Sequence, residues 1–424
     1  MIKVLTYHEI DQQQWSELVL SSPTATWFQT PEAYEFYAAV SGMQAFAYGV
    51  EEVECKVESV KCKGIENSAA APPASSLIAS SPHRLASDSA PVSTPYTLHS
   101  TPALKGVIVG YITRERNALK QFFTRRAIIY GGPLLAEDIS ETALAELLNA
   151  VSRFKVESVK FKGKENGKAD TPASRLIASS PHRLASDSDH ASTPYTLHPT
   201  PIYIESRNFH DYSKWRNIFA ANGFAYQPHL NYHVDTTSIE LVQRSIGKHR
   251  WRYIRLSMRD GAQIVQHPTI EQVQAFYTIL QNLYRTKVRT PLWSWEFFER
   301  LFHTEHARYI LVELDGQIVG GTACVCLPGK AVYEWYACGL DNCRDDIRPL
   351  SVAIWGEMQY AAENGYPLFD FMGAGSPDQP YGVRDFKAEF GGELVEHGRF
   401  LCVRKPLLYW IGTMGVKFLK SKRK

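Results

Sequence analysis

The feature that most constrains the fold is a segment of 47 residues that occurs twice, at Lys56–Pro102 and at Lys155–Pro201. The copies are identical at 36 aligned positions, and Ser, Ala, Pro, Thr and Lys dominate both without helical or strand periodicity. Such a composition buries too little apolar surface to offset the entropy lost on ordering. A solenoid would need several stacking repeats. We therefore interpret the pair as low-complexity insertions in surface loops.

The positions of the two segments support this interpretation. The first separates AFAYGVEE from LKGVIVGYIT, two strand-like runs that would otherwise close as a hairpin. The second separates the helical pattern ETALAELLNAV from the strand-like PIYIESR. Both places are predicted loops, where the entropic cost of a long insertion grows only slowly with its length.

The rest of the chain shows the same order of predicted elements twice. Removing both segments leaves 330 of the 424 residues, too many for one ordinary core. Each half is predicted to have two helices, three strands, a helix and a strand. In the first half these lie at 15–20, 31–40, 46–50, 106–113, 127–130, 141–151 and 202–206, with a further helix at 212–222. In the second half they lie at 269–284, 295–302, 307–314, 317–327, 331–337, 350–365 and 367–372.

This order of elements is typical of Gcn5-related acyltransferase (GNAT) domains. We therefore expect an α/β fold with two tandem GNAT-like domains, at 1–236 and 237–405, and a basic tail at 406–424. In a GNAT domain that uses acetyl-CoA, the amides of a glycine-rich turn bind the pyrophosphate. Here LDNCRDDIRPLS follows the third strand of the second half, without a glycine and with three aspartates. Phosphate binding of that kind is not expected, and Gly373 and Gly375 are interpreted as turn residues after a buried strand.

Charge and cysteine content narrow the function classes. The 46 basic and 44 acidic residues nearly cancel, so no overall field indicates nucleic-acid binding. The chain starts without a signal-peptide pattern, and no apolar run reaches the length of about 18 residues that a spanning helix needs. These features predict a cytoplasmic protein. Seven cysteines without CxxC spacing suit a reducing compartment, and no metal or redox cofactor is implied.

The C-terminal tail combines a short apolar segment with a basic end. Two interpretations are open: peripheral contact with the anionic inner face of the membrane, or a packed terminal helix with a frayed end. The basic residues are Lys417, Lys420, Lys422, Arg423 and Lys424.

The segment FDFMGAGSPDQPYGVRDFKAEFGGE resembles Fem-type aminoacyltransferases, and the runs WFQTPEAYEFY, IRLSMRDG and YEWYACG extend the resemblance over both halves. Members of that family transfer an amino acid from aminoacyl-tRNA to the stem peptide of a lipid-linked or nucleotide-linked peptidoglycan precursor. The resemblance implies the same partners here. It also implies site residues: Lys387 with Phe386 at the reacting centre, Arg289 on a substrate phosphate, Asp385 beside the substrate, and Tyr333, Trp335 and Tyr336 in an aromatic substrate wall.

Lys387 is the residue on which the implied chemistry depends. When an amine attacks an aminoacyl ester, the carbonyl oxygen and the departing ribose oxygen gain negative charge, which a nearby ammonium stabilises. The alternative is an ordinary surface lysine between Asp385 and Glu389. In the aromatic wall, strand alternation predicts that Tyr333 and Trp335 share one face and that Tyr336 lies on the other.

A basic stripe is the second candidate site. Spacings of 4, 4, 3 and 4 residues place its members on one face of a single predicted helix, with Thr237 and Glu240 as a capping box. No acidic residue lies between its ends, so either a solvated face or contact with phosphate or tRNA is expected. The stripe consists of Arg244, Lys248, Arg252, Arg255 and Arg259.

The working hypothesis is an aminoacyltransferase that joins an activated aminoacyl group to the stem-peptide amine of a cell-wall precursor. One alternative is a CoA-dependent N-acyltransferase of the same fold that acts on a small amine or polysaccharide. The other is a non-catalytic protein that binds the membrane surface.

Overall fold

A computed structural model describes residues 1–53, 102–114, 124–153, 200–341 and 343–421, with side chains to residue 415. The duplicated segments lie almost wholly outside these ranges. Within them the chain forms two sheets flanked by helices, which confirms the expected α/β fold. No helix in the described ranges has the length and apolar character needed to cross a membrane.

Both halves contain strands and helices. The strands are β1 (Ile2–Thr6), β2 (Met43–Val53), β3 (Pro102–Thr113), β4 (Arg126–Gly131), β5 (Leu134–Leu135), β6 (Tyr203–Asn208), β7 (Ala225–Gln227), β8 (Leu230–Asp235), β9 (Gln263–Val265), β10 (Ala307–Leu314), β11 (Gln317–Leu327), β12 (Ala331–Gly339), β13 (Leu368–Asp370), β14 (Glu393–Glu396) and β15 (Arg399–Val403). The α-helices are α1 (Gln12–Ser21), α2 (Pro31–Ala39), α3 (Glu141–Arg153), α4 (Arg216–Ala221), α5 (Ile239–Ser245), α6 (Lys248–Arg259), α7 (Ile270–Leu283), α8 (Trp295–Phe302), α9 (Pro349–Glu363), α10 (Gly382–Ala388) and α11 (Pro406–Ser421).

Local sequence explains where the main helices form. Thr30 caps α2 through a hydrogen bond from the Ala33 amide, and Pro31 occupies the first turn, where its missing N–H costs nothing. Helix α3 buries five apolar residues at helical spacing against the first sheet. Helix α9 is buried along most of its length because strands and other helices cover it on several sides.

The two sheets repeat one connection. The first has the order β1-β2-β3-β4-β6-β15-β7, with β5 on β3, and the second has the order β14-β8-β13-β12-β11-β10-β9. In the first sheet β4 and β6 run parallel on either side of the crossover that contains α3. In the second sheet β12 and β13 run parallel on either side of the α9 crossover. Other neighbours pair antiparallel, so the predicted tandem arrangement of two similar halves is confirmed.

The ends of the duplicated segments belong to the folded part of the chain. Val53 pairs with Pro102 across β2 and β3, which confirms the predicted hairpin around the first segment. Pro201, the last residue of the second copy, is buried. The inserted parts are therefore slightly shorter than the repeated sequence.

The halves share one core and exchange strands. Phe28 and Phe36 of the first half contact Tyr333 and Phe297 of the second, with ring centroids 5.7 and 5.2 Å apart. Strand β8 precedes residue 236 yet pairs with β13 and β14 in the second sheet. Strand β15 comes near the end of the chain yet pairs with β6 in the first sheet. The boundaries at 236 and 405 stay predictions, but the sheets do not divide the chain there.

Candidate active site

A cleft of about 930 Å³ lies where the two halves meet. It is lined by residues of β4, β6, β12 and α10, and Phe386 and Lys387 are among them. Lys387 is only 9% exposed, so the alternative of a surface lysine is wrong. Its ammonium donates to the carbonyls of Phe371, at 2.6 Å, and of Gly373, at 2.9 Å. The cation is thereby fixed at the cleft with one N–H left over.

A left-handed turn presents those carbonyls to the lysine. Met372 has φ of 56° and Gly373 has φ of 128°, a conformation that costs energy for a residue with a side chain. The turn is held by two side chains: Asp370 accepts from the Met372 amide at 2.6 Å, and Asn231 accepts from the Gly373 amide at 2.7 Å. Gly373 and Gly375 thus act as turn residues after β13, as predicted.

The carboxylate that holds this turn is itself fully buried. Asp370 accepts hydrogen bonds from Asn231 at 2.6 Å and pairs with His233 at 3.0 Å. Burial alone would raise the pKa of Asp370, but the charge of His233 and these hydrogen bonds lower it below its usual range. The network therefore keeps a charged acceptor behind the lysine turn.

A second buried carboxylate lines the cleft beside Lys387. Glu334 lies with Oε1 3.7 Å from the lysine Nζ, and its Oε2 has no hydrogen-bond partner among the described residues. Desolvation raises the pKa of Glu334 although the charge of Lys387 opposes it. Behind it, burial and then the charge of Glu334 raise the pKa of Glu357 well above the usual range. Glu334 is therefore a proton acceptor whose basicity exceeds that of an ordinary glutamate.

The aromatic wall differs from the alternation predicted for β12. The register with β11 shifts between Glu334 and Tyr336, because a β-bulge inserts Trp335 as an extra residue. Tyr333, Trp335 and Tyr336 consequently all pack against the same core cluster, and the opposite-face prediction for Tyr336 was wrong. Trp335 and Tyr336 line the cleft, whereas Tyr333 is buried and stacks on Phe209 at 5.5 Å.

Charged residues of the first sheet form the opposite side of the cleft. Arg207 of β6 and Arg399 of β15 both line it, and Glu205 lies between them. Burial would raise the pKa of Glu205, but the charges and hydrogen bonds of the two arginines outweigh it and lower the pKa to about 2. His229 Nε2 accepts a hydrogen bond from Arg399 Nη2 at 2.9 Å. Desolvation and the nearby cations lower its pKa to about 4, so the ring is neutral at pH 7 and acts as the acceptor.

Like the buried Tyr333, the predicted site residues Arg289 and Asp385 do not line this cleft. Arg289 is exposed, has φ of 57° and lines a separate open pocket with Tyr284, Arg285, Thr290 and Pro291. Asp385 is exposed on α10 and is not among the residues that line the cleft. Their roles remain predictions that depend on the family resemblance.

The basic stripe does not lie on one helix. The helix is interrupted at Ile246 and Gly247, so the stripe is divided between α5 and α6. Ser238 rather than Thr237 caps α5. The single-helix prediction was wrong because the Gly247 amide donates to the Glu389 carbonyl, which docks the loop after α10 into the break. All five side chains are exposed, and Arg259 pairs with Asp260 at 2.7 Å. Their contact with tRNA or phosphate remains a prediction.

Two short motifs within the runs that carry the resemblance have structural roles: FQT at 28–30 and FGGE at 390–393. In the FQT motif, buried Gln29 donates to the carbonyls of Gly131 and Gly132, so it anchors the turn after β4. In the FGGE motif, Gly391 and Gly392 have positive φ, and a Cβ on either would lie within 2.4 Å of a backbone oxygen of Ser245 or His233. The glycines allow the loop after α10 to pack against α5 and β8, which places Lys387.

The turn between β12 and α9 is occupied by its own charged side chains. Asp341 pairs with Lys287, and Arg344 pairs with Asp346 at 2.8 Å. Arg348 donates to the carbonyls of Asp345 and Ile347. This arrangement differs from the glycine-rich amide cradle of CoA-binding GNAT turns.

Several cleft residues were not identified as site residues from the sequence. Glu205, Arg207 and Arg399 come together only because β6 pairs with β15, which is nearly 200 residues away. Glu334 was part of the YEWYACG run but could not be told from an ordinary strand residue, because its burial depends on α9 and α10. A carboxylate inside an otherwise apolar strand was the available clue.

Comparisons with known proteins agree with this architecture. Residues 248–387 match the family model for an acetyltransferase (GNAT) domain, a match that ends at Lys387. The crystal structure of FemX is similar at a TM-score of 0.56 and 13% identity, covering 96% of this chain and 99% of that one.

Two further structures have lower scores. A tandem GNAT protein from the clavulanic acid biosynthesis pathway has a TM-score of 0.44 at 8% identity, covering 95% and 98% of the two chains. The L-PGS structure from Bacillus licheniformis has a TM-score of 0.41 at 12% identity, covering 73% and 85%. No curated protein matches the sequence. The chain thus has the Fem-type tandem GNAT acyltransferase fold.

Proposed function

We propose that the protein is a cytoplasmic aminoacyltransferase. It would take an aminoacyl group from aminoacyl-tRNA and form a peptide bond with the stem-peptide amine of a lipid-linked or nucleotide-linked peptidoglycan precursor. The observation that carries the proposal is the buried Lys387, held by two carbonyls at a cleft between the halves and 3.7 Å from Glu334. The likeness of the fold to FemX supports the choice of an aminoacyl donor.

Lys387 and Glu334 have distinct roles in this reaction. The amine nitrogen forms a bond to the acyl carbon, and the bond from that carbon to the ribose oxygen breaks. The Lys387 ammonium stabilises the negative charge that develops on the carbonyl and departing oxygens. Glu334 accepts the proton that the amine loses, and the departing oxygen finally receives it. The aromatic rings of Trp335 and Tyr336 exclude water beside the reacting atoms.

Helix α11 adds a membrane contact to the proposal. Leu407, Trp410, Ile411 and Met414 are exposed at helical spacing, at 69%, 59%, 41% and 48%. Such a stripe, next to a basic end, suits the interface of an anionic leaflet. This contact would bring the cleft to a lipid-linked acceptor.

The decisive experiment compares Lys387→Met with wild type in a transfer assay. Loss of one preorganised cation should lower the turnover number by roughly 10²- to 10³-fold while substrate affinity changes little. Arg244→Gln on the exposed surface is the matched control and should keep full turnover at saturating substrate. Full transfer from aminoacyl-tRNA by Lys387→Met would show that the lysine is not catalytic.

The choice of donor separates this proposal from a CoA-dependent acyltransferase, which the GNAT family match favours. Calorimetry with acetyl-CoA should give weak binding or none, because the turn after β12 contains no glycine and its described charged residues are occupied by contacts within the turn. A micromolar dissociation constant for acetyl-CoA would reverse the choice.

A further inference from the structure

The first-sheet side of the cleft carries a pair of arginines that the transfer chemistry does not use. Arg207 donates to Glu205 through Nε and Nη2, at 3.1 and 2.9 Å, and through Nη1 to the Tyr130 hydroxyl at 2.9 Å. Arg399 donates to the other oxygen of Glu205 at 2.7 Å. The carboxylate thus lies behind the pair and fixes both guanidinium groups against the cleft wall.

The charges around the cleft do not cancel. Four cations line it, and one carboxylate, Glu334, lines it with them. Glu205 and Asp341 contact these cations from outside the lining. Among these four cations and their three direct carboxylate partners, one positive charge is therefore left without a counter-charge even when Glu334 is ionised. The nearby Asp370 has His233 as its own ion-pair partner. The four cations are Arg207, Arg399, Lys287 and Lys387.

The uncompensated positive charge is located at the pair formed by Arg207 and Arg399. Lys387 has Glu334 beside it and Lys287 has Asp341, whereas two guanidinium groups share Glu205. His229 adds no charge at neutral pH, because its pKa is about 4. Desolvation and the charge of Arg207 lower the pKa of Arg399, as expected for a cation short of anionic partners. Both guanidinium side chains are only 25% exposed. A partly buried cation without a full counter-charge is destabilising unless a ligand supplies the anion.

We propose that Arg207 and Arg399 form a subsite for a carboxylate group of the acyl acceptor. A carboxylate carries one negative charge, which matches the one uncompensated positive charge. Its two oxygens can accept hydrogen bonds from the planar donors of guanidinium groups. A phosphate monoester or diphosphate would bring more negative charge than the pair can balance. The subsite rests on the proposed function, because the acceptor amine must reach Lys387 and Glu334 while its carboxylate occupies the arginine pair.

The test measures binding to the full chain, so it does not depend on transfer. Lysyl-alanine with a free C-terminal carboxylate and its C-terminal carboxamide are titrated by calorimetry in parallel. The wild-type protein should bind the carboxylate form roughly 10- to 100-fold more tightly, the range expected for charge-assisted hydrogen bonds. Arg399→Gln and Arg399→Lys should both reduce this preference, the second because a lysine lacks the planar fork. Lys3→Gln, at an exposed position of β1 outside every candidate site, should keep it.

Competition distinguishes the two sources of oxyanion. Acetate and inorganic phosphate are compared as competitors at equal ionic strength. Displacement of the carboxylate probe by acetate but not by phosphate supports the subsite. Displacement by phosphate alone overturns the proposal in favour of a phosphoryl site. Equal affinity of wild type for the acid and the amide also overturns the proposal, whether or not any variant folds. A carboxylate preference in a protein that fails to transfer from aminoacyl-tRNA would contradict the proposed function and leave the subsite standing.

Discussion

At the scale of single residues, the cleft depends on buried charges that hold other groups in place. Glu205 fixes two arginines, and Asp370 fixes the turn whose carbonyls hold Lys387. Neither carboxylate needs to touch a substrate. Their effects should therefore be visible in stability as well as in activity.

Replacing Glu205 tests this through the pH dependence of unfolding. The pKa of its carboxyl is about 2 in the folded protein, below its ordinary value of 4.5. The stability that it contributes is therefore complete above pH 4.5 and is lost as the pH falls towards 2. Glu205→Gln should cost about 3 kcal/mol in urea unfolding at pH 7, because two partly buried cations lose their counter-charge.

The difference between wild type and Glu205→Gln should shrink steadily below pH 4.5. Glu146→Gln, on the exposed face of α3, is the control and should match wild type at each pH. A difference that stays constant down to acid pH would show that Glu205 acts through packing rather than charge.

At the scale of secondary structure elements, the loop after α10 is fitted to its neighbours through glycine. Gly391→Ala would place a Cβ 2.3 Å from the Ser245 carbonyl oxygen in a backbone with φ of 83°. We expect a loss of about 3 kcal/mol in thermal or urea unfolding, since both the backbone strain and the clash oppose the change.

Gly412 in α11 is the matched control for Gly391. Apart from the backbone of its own helix, no heavy atom of the described residues lies within 4 Å of its hypothetical Cβ. Gly412→Ala should leave stability unchanged or raise it by up to about 1 kcal/mol, because alanine favours a helix. If both substitutions had the same effect, the close approach at Gly391 would not explain the FGGE motif.

The exposed stripe of α11 gives a prediction of its own. Wild type should co-sediment with vesicles of phosphatidylglycerol and phosphatidylcholine, and less with phosphatidylcholine alone. The double variant Leu407→Gln, Trp410→Gln should lose roughly 10-fold or more in partitioning, because its apolar contact area is removed. Leu20→Gln, another exposed apolar residue at 76%, should bind as wild type does. Unchanged binding by the double variant would exclude the stripe as the contact.

The helices and strands were largely predictable because their apolar spacing is local. The range predicted for α8, 295–302, agrees with the structure, and both parallel crossovers follow from the repeated order of elements. Two local failures had non-local causes: the break before α6 depends on a loop some 140 residues later, and the bulge at Trp335 depends on its pairing with β11. Lys387 was predictable through its motif, whereas the arginine pair required knowledge of the sheet order.

At the scale of the whole molecule, the duplicated segments can be tested by removal. Val53 and Pro102 are paired neighbours, so a short turn can replace the residues between them. Deleting Lys56–Thr101 and Lys155–Pro199 together, with short linkers, should leave the thermal transition and its cooperativity nearly unchanged, because neither segment is predicted to contribute core. The starting chain serves as the reference in calorimetry, and a broad or strongly lowered transition would show that the segments are structural.

The exchange of strands between the sheets also has a consequence for biosynthesis. While the chain emerges from the ribosome, the first sheet lacks β15 until the whole second sheet has been made, since that strand begins at Arg399 and follows β14. Until then the edge of β6 is unpaired and Glu205 lacks one of its arginines. The nascent first half therefore has an unpaired sheet edge during synthesis, and such an edge is prone to aggregation.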